Sequence, residues 1–276
     1  MAKGPGLYSD IGKNVRDLLY KDYQTDHMFA LTTSTLNGMV ITPTALKMGD
    51  ILLADLSTQI KSKNVLTHLK VDTASNVLTT ITIDEPAPGM KSIFTFAVPD
   101  QSSGKVEFQY FHENAGISTS IGLKAVPVIS FSGVAGNDKL ALGTDISFDT
   151  ATRKFIKCNA GLNFSSSDLI ASLSLNDRGD TLTGSYFHTV SPLTNTAVGA
   201  EFSHCFSSNE NTLTIGIQHA LDPLTNVKAK VNNYGKASAA IQHIWQQKAI
   251  VTISGEVDAL AIEKSAKVGL CLILMP

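Results

Sequence analysis

The chain has 276 residues, 22 basic and 24 acidic side chains for a formal net charge of −2, and only 17% charged residues against about 25% in an average soluble domain. With 43% hydrophobic residues it is too apolar for a disordered tail, and its near-neutral charge excludes a globally basic nucleic-acid binder, so no nucleic-acid specificity is expected. Cys158, Cys205 and Cys271, odd in number and far apart, suit neither a disulfide framework nor a zinc ribbon and read as small half-buried hydrophobes.

Met1 to Asp10 carry one lysine and no apolar core, which is not the pattern of a secretory signal. The first periodic element follows. Tyr8, Ile11, Val15, Leu18 and Leu19 recur at helical spacing, with Lys13, Arg16, Asp17 and Lys21 toward the other side and Ser9 or Asp10 as the cap. Such a helix packs on a core, lies on a membrane surface or lies against a barrel wall, and its mixed charges disfavour the surface. No stretch approaches the ~18 apolar residues of a spanning helix; Val268 to Met275, the most apolar, is less than half that long.

From about Thr25 the period becomes two. Leu52, Ala54, Leu56, Thr58 and Ile60 alternate with polar residues, as do Val65, Thr67, Leu69 and Val71. Val106, Phe108 and Tyr110 follow, then Leu140, Leu142, Thr144, Ile146 and Phe148. Leu213, Ile215 and Ile217, and finally Ala266, Val268, Leu270 and Leu272, continue the pattern. Turn clusters separate the runs, among them Asn37-Gly38, the Pro-rich stretch at Pro86–Gly89, Asn176-Asp177-Arg178-Gly179 and Asn232-Asn233-Tyr234-Gly235. About 250 residues at roughly 13 per strand and turn give on the order of 19 strands.

An open sheet of that size leaves sticky edges, whereas closure removes them. A barrel this wide cannot fill its own lumen with side chains, so one face of each strand must meet water and the other lipid. The expectation is therefore an all-β transmembrane barrel over residues 25–276, preceded by an amphipathic helical segment over residues 1–24. By parity the lumen receives Lys61, Lys70, Lys91, Lys105, Lys124 and Lys139, then Arg153, Lys157, Lys228, Lys230 and Lys267. It also receives Asp55, Asp72, Asp84, Glu107, Asp145, Asp149, Asp168 and Glu201, with Lys13, Arg16 and Lys21 added if the helix lies inside. A slight basic surplus predicts a weak preference for anions without dehydration of the permeant. Phe94, Phe96, Tyr110, Phe148, Phe164, Tyr186 and Phe202 are candidate interfacial anchors on the lipid side.

No catalytic or metal-ligand spacing accompanies this pattern. The seven histidines lack an HExxH arrangement, there is no phosphate-binding glycine loop and no GxSxG, so neither an enzyme nor a cofactor is expected. The competing class is a water-soluble β-rich binding protein, which also alternates.

One segment is more specific. His219-Ala220-Leu221-Asp222, followed by Ala229-Lys230-Val231-Asn232-Asn233, resembles the signature of the mitochondrial outer-membrane porins, the voltage-dependent anion channels. Tyr8-Ser9-Asp10-Ile11-Gly12-Lys13, with Arg16-Asp17, looks like that family's amphipathic N-terminal helix, and the likeness is greatest to the plant branch. The resemblance implies a nineteen-stranded barrel, the odd-numbered case known for this channel, with parallel first and last strands near Phe29–Thr35 and Ala266–Leu272 and the helix in the lumen. It implies voltage-gated diffusion of ATP, ADP, phosphate and small metabolites across the mitochondrial outer membrane. Membrane lipid is the implied partner, and a homo-oligomer and kinase or cytoskeletal partners are left open. A protein-import barrel of the same membrane is the alternative. Lys13, Arg16 and Lys21 match positions at the charged constriction, and Gly89-Met90-Lys91 matches a segment associated with nucleotide contact, with Met in place of Leu. Two departures stand out. Leu69 occupies the lipid-facing position where animal members carry a glutamate, and Asp22-Tyr23-Gln24-Thr25-Asp26 lacks the animal glycine hinge.

Overall fold

The computed structural model describes residues 4–35, 38–246, 248–259 and 266–275; Asn37 of the expected Asn37-Gly38 turn lies outside the described residues. Apart from a short helical start, the chain is strands and turns. Strand β1 is His27–Leu31 with a two-residue continuation, Thr33–Ser34, interrupted at Thr32. It is followed by β2 (Met39–Met48), β3 (Ile51–Ser62), β4 (Val65–Asp72), β5 (Val77–Asp84), β6 (Met90–Val98) and β7 (Lys105–Phe111). Next come β8 (Ala115–Gly122), β9 (Val128–Gly136), β10 (Leu140–Asp149), β11 (Lys154–Ser165), β12 (Leu169–Asn176) and β13 (Thr181–Ser191). The last are β14 (Thr196–Cys205), β15 (Glu210–Asp222), β16 (Thr225–Asn232), β17 (Lys236–Trp245), β18 (Ala249–Asp258) and β19 (Lys267–Leu274).

Consecutive strands pair antiparallel, and β1 closes the ring against β19 in parallel, His27 opposite Leu270 through Leu31 opposite Leu274. The nineteen-stranded barrel with parallel first and last strands is thus present. No described helix is long and apolar enough to cross a membrane; the strands do so, because each pairs on both sides and leaves no unsatisfied backbone edge.

The register assigns faces. Leu56, Leu69, Phe108, Leu142, Phe164, Ile215, Ile217 and Leu270 are exposed apolar residues on the outer face. Between them Ser57, Lys70, Glu107, Gly143, Asn163, Gly216 and Gly269 point inward. All seven candidate anchor aromatics share the outer face, although Phe94 and Tyr186 sit in mid-strand rather than at an end. His27, His188, His204, His219 and His243 are also on it. Lys47, the outer-face lysine of β2, lies one residue from its end, where a long amine reaches the interface. Cys158 departs from the sequence expectation: it is exposed on the outer face, not half-buried.

The wall is uneven in height. β4 to β8 have 8, 8, 9, 7 and 8 residues, whereas β3 and β11 have 12, β13 has 11 and β15 has 13.

The face assignment has a measurable consequence at Leu69. Leu69→Arg is expected to cost about 2–4 kcal/mol if it lies near the bilayer midplane, while His68→Arg, facing water, stays within about 0.5 kcal/mol. Reversible urea unfolding in lipid vesicles measures both, and equal costs would contradict the assignment.

Candidate functional site

The site is the lumen and the segment laid along its wall. A 3-10 turn, Tyr8–Asp10, leads through Ile11 and Gly12 into helix α1, Lys13–Tyr20. The single helix expected from spacing is therefore split, because Gly12 adopts a left-handed conformation (φ 69°) and begins α1 without a side-chain cap. Asp10 caps the preceding turn instead: its carboxylate accepts from the Leu7 amide at 2.9 Å. Val15, Leu18 and Leu19 are almost fully buried with Ala197 of β14 and Phe187 of β13. Burying three such side chains contributes on the order of 5 kcal/mol before the entropy of ordering the segment.

Of the three helix cations predicted to form a constriction, Lys13 is exposed and 3.6 Å from Asp10. Arg16 turns back. Its guanidinium donates to the Ile11 carbonyl at 2.8 Å and to the Ser9 carbonyl, holding the carbonyl end of the 3-10 turn. Lys21 is exposed at the helix C-terminus beside Asn14, Asp17 and the inward-facing Gln218 and Lys228. All three lie on or next to the segment, but Arg16 is largely committed to its backbone.

The wall lysines divide into paired and unpaired. Lys70 meets Asp55 at 3.1 Å, Lys91 meets Asp84 at 3.4 Å and Lys105 meets Glu107 at 3.0 Å, while Lys157 pairs with Asp145. Lys228, only 9% exposed, donates to Asp22 at 2.9 Å and approaches the Asp17 carbonyl at 3.4 Å. Lys230 sits over the rings of Tyr23 and Tyr20, 4.6 and 5.1 Å from their centroids, and Tyr20 donates to Glu201 at 2.6 Å. Among the described residues, Lys61 on β3 and Lys267 at the start of β19 share the lumen parity and make no ion pair.

Lys124, Lys139, Arg153 and Asp168 lie in connections between strands, at the barrel's ends rather than along its inner wall. Parity fails there because it holds only while the chain is extended. Gly89 lies in the turn before β6 at φ 73°, where its carbonyl accepts from the Phe111 amide; Lys91 follows on the inner face. Outside the spanning strands, Asp100 and Asp180 are held below the usual carboxylate range. The Ser102 and Ser207 hydroxyls, respectively, are the main cause.

A polar cavity of about 310 Å³ opens beneath the segment between Arg16, Glu107, Gln109, Asp145 and Lys157, floored by Ser118 and Ser132. Hydroxyls and mutually compensated charges make it a wet surface for hydrated solutes, with no group poised for bond making. Asp22, Tyr20 and Tyr23 were absent from the sequence-derived site. Asp22 meets Lys228 across 206 positions, and the available sign was only an acid just past an amphipathic helix facing inward lysines.

A family model described as eukaryotic porin matches residues 4–269. The chain is 70% identical over its full length, and that of the relative, to the mitochondrial outer membrane protein porin of 36 kDa of Solanum tuberosum. It is 60% identical, again over all of both chains, to mitochondrial outer membrane protein porin 1 of Arabidopsis thaliana. It is 59% identical over all of both to an outer plastidial membrane protein porin of Pisum sativum. Among solved structures, a mutant porin of Rh. blastica superposes with a TM-score of 0.51 at 10% identity, over 80% of this chain and 90% of that one. That likeness is one of fold.

Removing the Arg16 staple tests its role. Arg16→Gln is expected to loosen the 3-10 turn by about 1 kcal/mol, seen as roughly fivefold faster hydrogen exchange of the Asp10 and Ile11 amides, while amides of β14 and β15 keep their protection.

Proposed function

The chain belongs to the eukaryotic porin family, which makes it a diffusion pore rather than an enzyme, and on that premise we propose that it is a voltage-gated, weakly anion-selective channel of the mitochondrial outer membrane. Its permeants are ATP, ADP, phosphate and small metabolites or ions. Lipid surrounds it, and it needs no cofactor.

The observation that carries the selectivity is the exposure of Lys13 and Lys21 within an otherwise balanced set of charges at the level of the helix. Five cations, Lys13, Arg16, Lys21, Lys228 and Lys230, stand there against five carboxylates, Asp10, Asp17, Asp22, Glu201 and Glu256. The Lys105–Glu107 and Lys157–Asp145 pairs on the wall beside the segment cancel. With that count even, the bias rests on the exposed amines, and it is weak because water and salt screen them within about 10 Å at 0.1 M. Lys61 and Lys267 extend the bias along the wall, Lys91 and Lys105 act only as far as their partners allow, and Lys124 acts at the rim. Gly89 and Lys91 are the nucleotide-contact candidates, with Lys91 supplying the charge and Gly89 the turn that presents it.

The import-barrel alternative asks for a lumen that accommodates an unfolded polypeptide. The N-terminal segment already occupies part of this one, with Leu18 and Leu19 buried on the wall.

The purified chain in a planar bilayer with a KCl gradient is expected to give discrete conductance steps and an anion-side reversal potential. Lys13→Glu or Lys21→Glu is expected to move that potential toward the cation side, Lys124→Glu to move it less, and all three shifts to shrink as salt rises. No steps would reject the pore, and an unmoved potential for both helix variants would reject the constriction. Tagged protein is expected in mitochondrial rather than plastid envelope fractions.

A further inference from the structure

Six inward-facing glycines mark the route of the N-terminal segment around the inner wall. Gly116 of β8 lies against the Gly6 carbonyl and Gly269 of β19 against the Gln24 carbonyl, so that a methyl group at either would overlap backbone. Between those ends, a methyl on Gly143 of β10 would stand 2.8 Å from the Val134 side chain of β9 and 3.0 Å from the Tyr8 ring, and one on Gly161 of β11 would stand 3.1 Å from the end of Ile11. On Gly199 of β14 it would stand 3.3 Å from Leu18, and on Gly216 of β15 2.6 Å from Leu19.

Within strand interiors the crowding follows the segment, whereas Gly136 at the end of β9 and Gly89 and Gly104 in turns meet residues of the wall itself. Gly122, facing the lumen where the segment does not run, has no atom within 3.8 Å of such a methyl, and the outer-face Gly184 and Gly255 have none within 3.9 and 3.8 Å. Glycine weakens a strand interior and is found where another backbone must come close.

A lock closes the C-terminal end of this route. Asp22 takes the bend after α1 in a left-handed conformation (φ 74°) and presents its carboxylate to Lys228 at 2.9 Å. Tyr23 is buried beneath Lys230, and Ser254 of β18 donates to the Gln24 carbonyl.

We propose that these glycines and the Asp22–Lys228 pair are positioning residues that sink the N-terminal segment into the wall as a belt from β8 to β19. They thereby set the pore's free bore and the place of Lys13 and Lys21 within it. The inference rests on the pore reading only for its electrical readout; the depth of the belt is readable without it.

The test uses the full chain in lipid bilayers, with the three native cysteines replaced by serine and a spin label on Asn14→Cys, an exposed position of α1. Gly116→Ala and Gly269→Ala are expected to raise label mobility and lower open-state conductance, because the displaced segment enters the lumen. Gly184→Ala and Gly255→Ala are expected to change neither. Asp22→Lys or Lys228→Asp alone should free the label, and the two together should restore both readings, a rescue that damage to the barrel would not give. Unchanged mobility in both belt-end variants, or a double swap no better than its singles, would overturn the belt. A background chain that shows an immobilised label but no conductance would instead overturn the pore reading and leave the belt standing.

Discussion

Inside hydrocarbon a peptide group has no water to bond with, and an unpaired N–H or C=O costs several kcal/mol. The single row of bonds between β1 and β19 meets that constraint, because it turns a sheet with two open edges into a ring. The Thr32 amide continues the row to the Leu274 carbonyl at 2.7 Å, bridging the interruption in β1. An odd number of strands makes this one seam parallel, and the rest of the architecture follows from closure. The outer face must be apolar and the inner face wet, and the ring is too wide for its own side chains to fill.

The N-terminal segment occupies that width in part, and its chemistry matches the role. One side is greasy enough to bury Val15, Leu18 and Leu19 against the wall; the other returns charge to the water. Most wall lysines have a carboxylate within reach. Such pairs keep ionised groups hydrated and cheap to hold, and they cancel much of each other's field at a distance. A surface built this way stays wet and open to small hydrated solutes.

Much of this was legible in the primary structure. Period-two runs such as Leu140 to Phe148 assign faces reliably, because a slip of one residue would place every apolar side chain in water. The position of Leu69 followed from the same rule. The helical period marked the buried face of α1 correctly but not its break, since the apolar spacing runs on across Gly12 and only the glycine's ease in a left-handed conformation marks the interruption. Lys124, Lys139, Arg153 and Asp168 were misplaced because alternation has no meaning in a turn. Arg16 looked like a free pore charge, yet the unsatisfied carbonyls at the end of the 3-10 turn lay within its reach. The Asp22–Lys228 contact was hidden because it depends on how the segment wraps around the wall, which local spacing does not encode.

The unequal strand lengths bear on the surrounding bilayer. At about 3.3 Å per residue and a tilt near 45°, eight residues span roughly 19 Å of height and twelve roughly 28 Å. The flank formed by β4 to β8 is therefore the low side of a wedge, and acyl chains beside it must shorten, splay or let headgroups dip inward to keep its ends wet. The bilayer beside that flank is therefore held thinner than beside β15, a perturbation that follows from the outline of the wall and needs no charged side chain.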